Sequence, residues 1–285
     1  MTSYLELVQQ ALHLRDAGRK LPLGGLPPCP RVSVLPHAPV ALIFSPHPDD
    51  ECIIGGLALR CLRQSGWRVV NVAVTQGSKK DRQAGRLEEL RHACHFLQFD
   101  LLTTAPGGLE KINPKTRAAD PAHWAQCVAP IQRLLAEQKP RVIFFPHDLD
   151  WNSSHIGTHF LVVDALKALG PAFACHTVET EFWGQMADPN LMVESPAQDV
   201  ADLMAACSFH VGEVQRNPYH LSQTAWMQDN VRRGGELVGG QGGAAPDFAF
   251  ATLYRHRLWQ NGAFVAHYQG GRNLPAAADP AALFA

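Results

Sequence analysis

Between Phe44 and Gly56 the chain reads "FSPHPDDECIIGG", with His47, Asp49, Asp50 and Glu51 inside five positions and apolar residues on both sides. Carboxylates crowded into a poorly solvated place repel one another, and some take up protons unless a cation joins them. His47 and Asp50 are three residues apart on a turn entering a helix, so both can reach one ion. A second polar run, "PHDLDWNSSH", ends on His155, which opens another helix and can supply a third ligand. A helix N-terminus disfavours imidazolium and leaves the His155 lone pair available. Two histidines and one carboxylate with an open position suit zinc holding a water. Asp49, adjacent and not needed as a ligand, is then placed as a general base. The plain alternative is a capping loop in which Asp49 or Asp50 caps the helix.

The flanking elements decide whether the two runs can meet. "PVALIFS" (39–45), "RVVNVAVTQG" (68–77), a short segment near Leu101, "RVIFFPH" (141–147) and "HTVETEFWG" (176–184) read as strands, the first as a strand buried on both faces. Helical patterns lie between them: "ECIIGGLALRCLRQSG", "RQAGRLEELRHACHFLQF" (82–99), "HWAQCVAPIQRLLAEQK" (123–139) and "IGTHFLVVDALKAL" (156–169). Alternating strands and helices predict a Rossmann-like three-layer α/β sandwich with a mostly parallel sheet and right-handed crossovers. Open sheets of this kind bind ligands outside the C-terminal ends of their strands, and both polar runs fall there. Residues 1–38 read as an N-terminal helix and a Pro/Gly-rich wrapping segment. Residues 39–285 read as one domain, with a C-terminal extension from about 185 that includes a late strand, "FATLYRHRLW".

Composition narrows the classes. With 285 residues, 46% hydrophobic and 18% charged, the chain can bury a sizeable core. A net charge of −1 gives no reason to expect nucleic acid or an anionic membrane as a partner. No apolar run approaches the ~18–20 residues that span a bilayer. The seven cysteines form no CxxC pair and read as reduced thiols, which favours a cytoplasmic location. "TQGSKK" has no phosphate-loop pattern around it.

"PHPDDE", followed by "TQG", "RLEEL" and a downstream histidine at a helix start, resembles the PIG-L/LmbE-like zinc-dependent N-deacetylases. The likeness covers about Val40 to Leu169 and extends loosely to "YHLSQ" (219–223). It implies that His47, Asp50 and His155 hold zinc, with Fe2+ as another possible ion, and that Asp49 is the base. It implies a substrate contact for Arg86, and it extends to His220. Asn152 stands where the family usually has a histidine that stabilises the oxyanion or protonates the leaving amine. An amide can donate to an oxyanion but delivers no proton at neutral pH. That leaves Asp49, His147, His159 or His220 as the acid. Glu51 and His159 are expected behind the ligands, orienting them, and Glu89 is expected to orient the Arg86 loop. "GGQGG" (239–243) reads as a lid or a passive linker.

The resulting expectation is a hydrolase that removes an acetyl group from an amino sugar or its conjugate, as a monomer or a homo-oligomer. The alternatives are an amidase of the same fold acting on a larger acyl group or a thiol conjugate, and a non-catalytic member that binds metal and sugar.

Overall fold

The computed structural model describes residues 3–285. Nine strands make one sheet: β1 (Val40–Ser45), β2 (Arg68–Ala73), β3 (Asp100–Thr103), β4 (Val142–Pro146), β5 (Cys175–Thr180), β6 (Leu191–Glu194), β7 (Ala251–Gln260), β8 (Ala263–Ala266) and β9 (Arg272–Leu274). Their order is β3-β2-β1-β4-β5-β7-β6-β9, with β8 paired to β7. The first five strands are parallel; β7 runs antiparallel to both β5 and β6.

The helices are α1 (Tyr4–Gly18), α2 (Asp50–Ile53), α3 (Leu57–Ser65), α4 (Gln83–Leu97), α5 (Pro114–Ala119), α6 (Pro121–Gln138), α7 (Ser153–Ala168), α8 (Ala197–Cys207), α9 (Val211–Arg216) and α10 (Gln223–Leu237). The period-2 alternation of β1 sends Ile43 into the layer of α3, α4 and α8, and Leu42 into that of α6 and α7. β1 is apolar from Val40 to Phe44, so its polar residues begin only at its end, with Ser45 and the loop that follows.

The apolar run after the first motif is not one helix. It breaks at Gly55–Gly56 into α2 and α3. Gly55 has φ +81°, and a Cβ there would lie 2.1 Å from Thr252 Oγ1 of β7, so close approach of a late strand dictates the break. Hydrophobic periodicity continues through the break and does not reveal it. The late strand is also placed differently from an edge addition: β7 is ten residues long and lies inside the sheet, pairing with β5, β6 and β8. Its two charged residues, Arg255 and Arg257, both bond the buried Glu179 of β5.

Candidate metal centre

β1 and β4 are neighbouring parallel strands. From β1 the chain goes on to β2 on one side of the sheet, and from β4 to β5 on the other. That reversal opens a crevice at their C-terminal ends, and the loops carrying His47–Asp50 and Asp148–Asn152 both empty into it. A cleft of about 370 Å3 leads away from it, lined by His47, Thr75, Gly77, Lys80, Asn113 and Ser154 among others.

Three side chains from the two loops converge. His47 Nδ1 lies 3.3 Å from His155 Nε2 and 3.5 Å from Asp50 Oδ2, and His155 Nε2 lies 3.4 Å from Asp50 Oδ2. Ligand bonds of ~2.0–2.1 Å in a tetrahedral arrangement set donor atoms about 3.4 Å apart. The triangle therefore has the size that a zinc-like ion requires. His155 is fully buried, and burial, helped by His47, outweighs Asp50 and holds its ring below the usual histidine range, so it is neutral and able to donate a lone pair. For Asp50, burial raises the carboxyl but the two histidines more than offset it, leaving it ionised. Asp50 Oδ2 also accepts the His47 main-chain N–H at 2.8 Å, which fixes the turn.

Behind the triangle stand residues that the sequence did not single out. Asp150 Oδ1 faces His155 Nδ1 at 3.7 Å, and its carboxylate accepts main-chain N–H groups of Asn152, Trp183 and Gly184 at 2.8, 3.1 and 3.3 Å. His155 Nδ1 has no hydrogen-bond partner at that distance, but the facing negative charge favours a proton on Nδ1, the tautomer whose Nε2 is free. Phe182 closes on the same ring edge-on, with centroids 4.9 Å apart.

Asp49 does not cap α2. It sits at φ +119°, a strained conformation for a side-chain-bearing residue. Two contacts hold it: its N–H donates to Glu51 Oε2 at 3.0 Å, and its Oδ2 accepts from the Tyr219 hydroxyl at 2.5 Å. Burial first, then the Asp50 charge, push its carboxyl up to about 7 against the pull of His210, Arg86 and Tyr219. Glu51 is itself buried and bonded by His210 Nε2 at 2.7 Å, with the Cys52 thiol donating to the same oxygen at 3.1 Å. Desolvation works against protonation of His210, but Glu51 and Asp49 overcome it and raise its value. Tyr219, His210 and Asp150 were all legible as polar residues, but only the fold brings them here.

The remaining sequence candidates distribute as follows. Arg86 reaches in from α4, donating to the Pro48 carbonyl at 2.8 Å with its Nη2 3.6 Å from Asp49 Oδ2. Gly77, at φ +83°, makes room for it, since a Cβ there would lie 2.6 Å from Arg86 Nη1. Glu89 accepts the Gly212 N–H at 3.0 Å. Asn152 caps α7, its Oδ1 accepting from Ser154 N–H at 2.8 Å, so only its NH2 group is left to donate elsewhere. His159 lies behind β4, with Nδ1 3.0 Å from the Pro146 carbonyl and 3.5 Å from Glu179, away from the triangle. Both His147 nitrogens have main-chain partners, Gly184 O and Leu149 N–H. His220 is buried beside Tyr219 in a 3-10 turn, with Nδ1 unpartnered. The seven cysteines are all buried and free, and no described helix is long and apolar enough to cross a membrane.

Residues 42–166 match the family model described as PIG-L, GlcNAc-PI de-N-acetylase. No curated protein matches the chain. Among solved structures, the N,N'-diacetylchitobiose deacetylase from Pyrococcus horikoshii aligns with 92% of this chain and 94% of its own, at 16% identity and a TM-score of 0.55. The A40926 pseudoaglycone deacetylase Dbv21 aligns with 79% of this chain and 99% of its own, at 14% identity and 0.57. GalB, the 4-carboxy-2-hydroxymuconate hydratase from Pseudomonas putida KT2440, aligns with 76% and 95%, at 15% identity and 0.55. At these identities the likeness is one of fold, and a fold hosts more than one reaction. Residues 42–166, which run from β1 into α7 and frame the crevice, are thus the part of the chain similar to the PIG-L family.

Proposed function

We propose that the chain is a metal-dependent N-deacetylase that hydrolyses the acetamide of an amino sugar or amino-sugar conjugate. The observation that carries this reading is the 3.3–3.5 Å triangle of His47, Asp50 and His155 with the Asp49 carboxylate alongside it. A divalent ion held by those three residues, zinc or Fe2+, would supply Lewis acidity to an amide carbonyl and acidify a water. Asp49 takes the proton of the attacking water, and its raised affinity for protons suits it to hand that proton on to the leaving amine. With Asn152 engaged as a cap, Asp49 serves as both base and acid. Tyr219 holds the carboxylate in place. The Asn152 NH2 group is the remaining donor available to an oxyanion from the β4–α7 loop. Arg86 and His220 are assigned to substrate binding.

A second reading, a larger or more apolar acyl group or aglycone, draws on the rim of the crevice. Leu149 and Trp151 are 73% and 82% exposed on the loop that carries Asp150, and Trp183, whose N–H bonds Asp150, is 45% exposed. The deciding experiment measures acetate release from a panel of N-acetylglucosamine derivatives, with chelator and after re-addition of zinc or Fe2+. Chelator-sensitive release supports the deacetylase. Amine formation without acetate, from longer-chain amides only, favours the second reading. No release from any amide by metal-loaded protein rejects both.

A further inference from the structure

We propose that His176, His256 and His267 form a second metal site, for a borderline divalent ion such as zinc, that clips the chain after β8 to the middle of the sheet. Strand register brings the three together. His256 of β7 pairs across from Val178 of β5, which places His176 diagonally beside it. Arg257 pairs with Ala266, so His267 follows one step beyond the end of β8, opposite His256. Directly opposed and diagonal neighbours share a face. One nitrogen from each ring lies within 4.8 Å of the other two, and His176 Nδ1 and His256 Nε2 are 3.0 Å apart.

Two imidazoles sharing a proton explain that one short contact, but they give no reason for a third ring nitrogen within 4.8 Å of both. Nor is the cluster there to satisfy polar atoms, since His256 Nδ1 is buried without a partner. His176 and His256 are 4% and 0% exposed, with the Phe284 ring 5.3 and 5.4 Å from them, so the site is dry on that side. His267 is half-buried and gives an ion a way in. The grouping contains no carboxylate, and the guanidinium groups of Arg141 and Arg272 lie near it. The arginines oppose any cation, so the preference comes from the donors: three neutral imidazoles without a carboxylate suit zinc, copper or nickel better than a hard ion. The cluster is on β5 and β7, separate from the β1–β4 crevice.

The test is zinc stoichiometry of the full chain, stripped with chelator and then titrated, read by calorimetry and metal analysis. The wild type is expected to bind two equivalents. A His47→Ala/His155→Ala variant is expected to keep one, and adding His267→Ala to remove it. If the double variant unfolds by circular dichroism, His267→Ala alone carries the test, with the loss of one of two equivalents expected. A folded double variant that takes up no zinc overturns the proposal, as does uptake indifferent to His267→Ala. Two bound equivalents in a chain that hydrolyses no amide would reject the proposed function and leave this site standing.

Discussion

The Tyr219 hydroxyl donates a 2.5 Å hydrogen bond to Asp49 Oδ2, joining a turn near residue 220 to the loop that follows the first strand. A bond to a buried carboxylate contributes about 1.5–3 kcal/mol. Removing it with Tyr219→Phe frees the carboxylate to rotate without disturbing the three candidate ligands. The expected outcome is a kcat lower by roughly tenfold, with metal content unchanged. Wild-type kcat in that variant would show that the bond does not position the base.

Asp49→Asn keeps the shape of the site and removes the proton acceptor. A loss of about 10²–10⁴ in kcat is expected, with metal stoichiometry retained, as measured by single-turnover kinetics on metal-analysed protein. Undiminished turnover would move the base to another residue.

Asp150 is expected to act on His155 through its charge. Asp150→Ala removes the carboxylate facing His155 Nδ1 and the partner of three main-chain N–H groups. Metal affinity is expected to fall about 10–100-fold, read by competition with a chromogenic chelator. Asp150→Asn retains part of the shape and should lie between. Equal affinity in all three proteins would contradict that role.

Away from the site, Asp164 on α7 accepts two bonds from Arg117, at 2.8 and 3.0 Å, and one from the Trp124 indole at 2.9 Å. Burial alone would raise its carboxyl, but Arg117 and Trp124 outweigh burial and hold it below the usual range. A carboxyl depressed in the folded state stabilises the fold above its unfolded value of about 3.9. That contribution disappears as pH falls through the folded value. Asp164→Asn is therefore expected to cost about 2 kcal/mol at pH 7, and the gap should close toward pH 2. Urea midpoints at the two pH values measure it, and a gap that stays constant would contradict the assignment.

β1 and β4 at the centre of the parallel half were legible because they are covered on both faces. Such strands read as uninterrupted apolar runs, as in "VALIF" and "VIFF", whatever surrounds them. The candidate ligands stood out for a related reason: polar residues at the end of a buried strand have few structural uses. What the sequence concealed depends on contacts distant along the chain. The break at Gly55 answers Thr252, nearly 200 positions later. β6, β8 and β9 are three or four residues long, too short for a period to register. Tyr219 stands next to His220 in the stretch that was read, but the hydroxyl that reaches Asp49 belongs to the tyrosine. Asp150 looked like one more loop acid until its three N–H donors were in place.

The bracing of the first loop has a consequence for biosynthesis. All three candidate ligands have left the ribosome once residue 155 has emerged. The groups that brace the rest of the first loop are made later: His210 for Glu51, Tyr219 for Asp49, and Thr252 against Gly55. A nascent chain halted near residue 190 would own a complete ligand set and still lack the scaffold that tenses that loop. Bracing of the first loop thus belongs to the end of translation, when β7 slots in beside β5, and not to its middle.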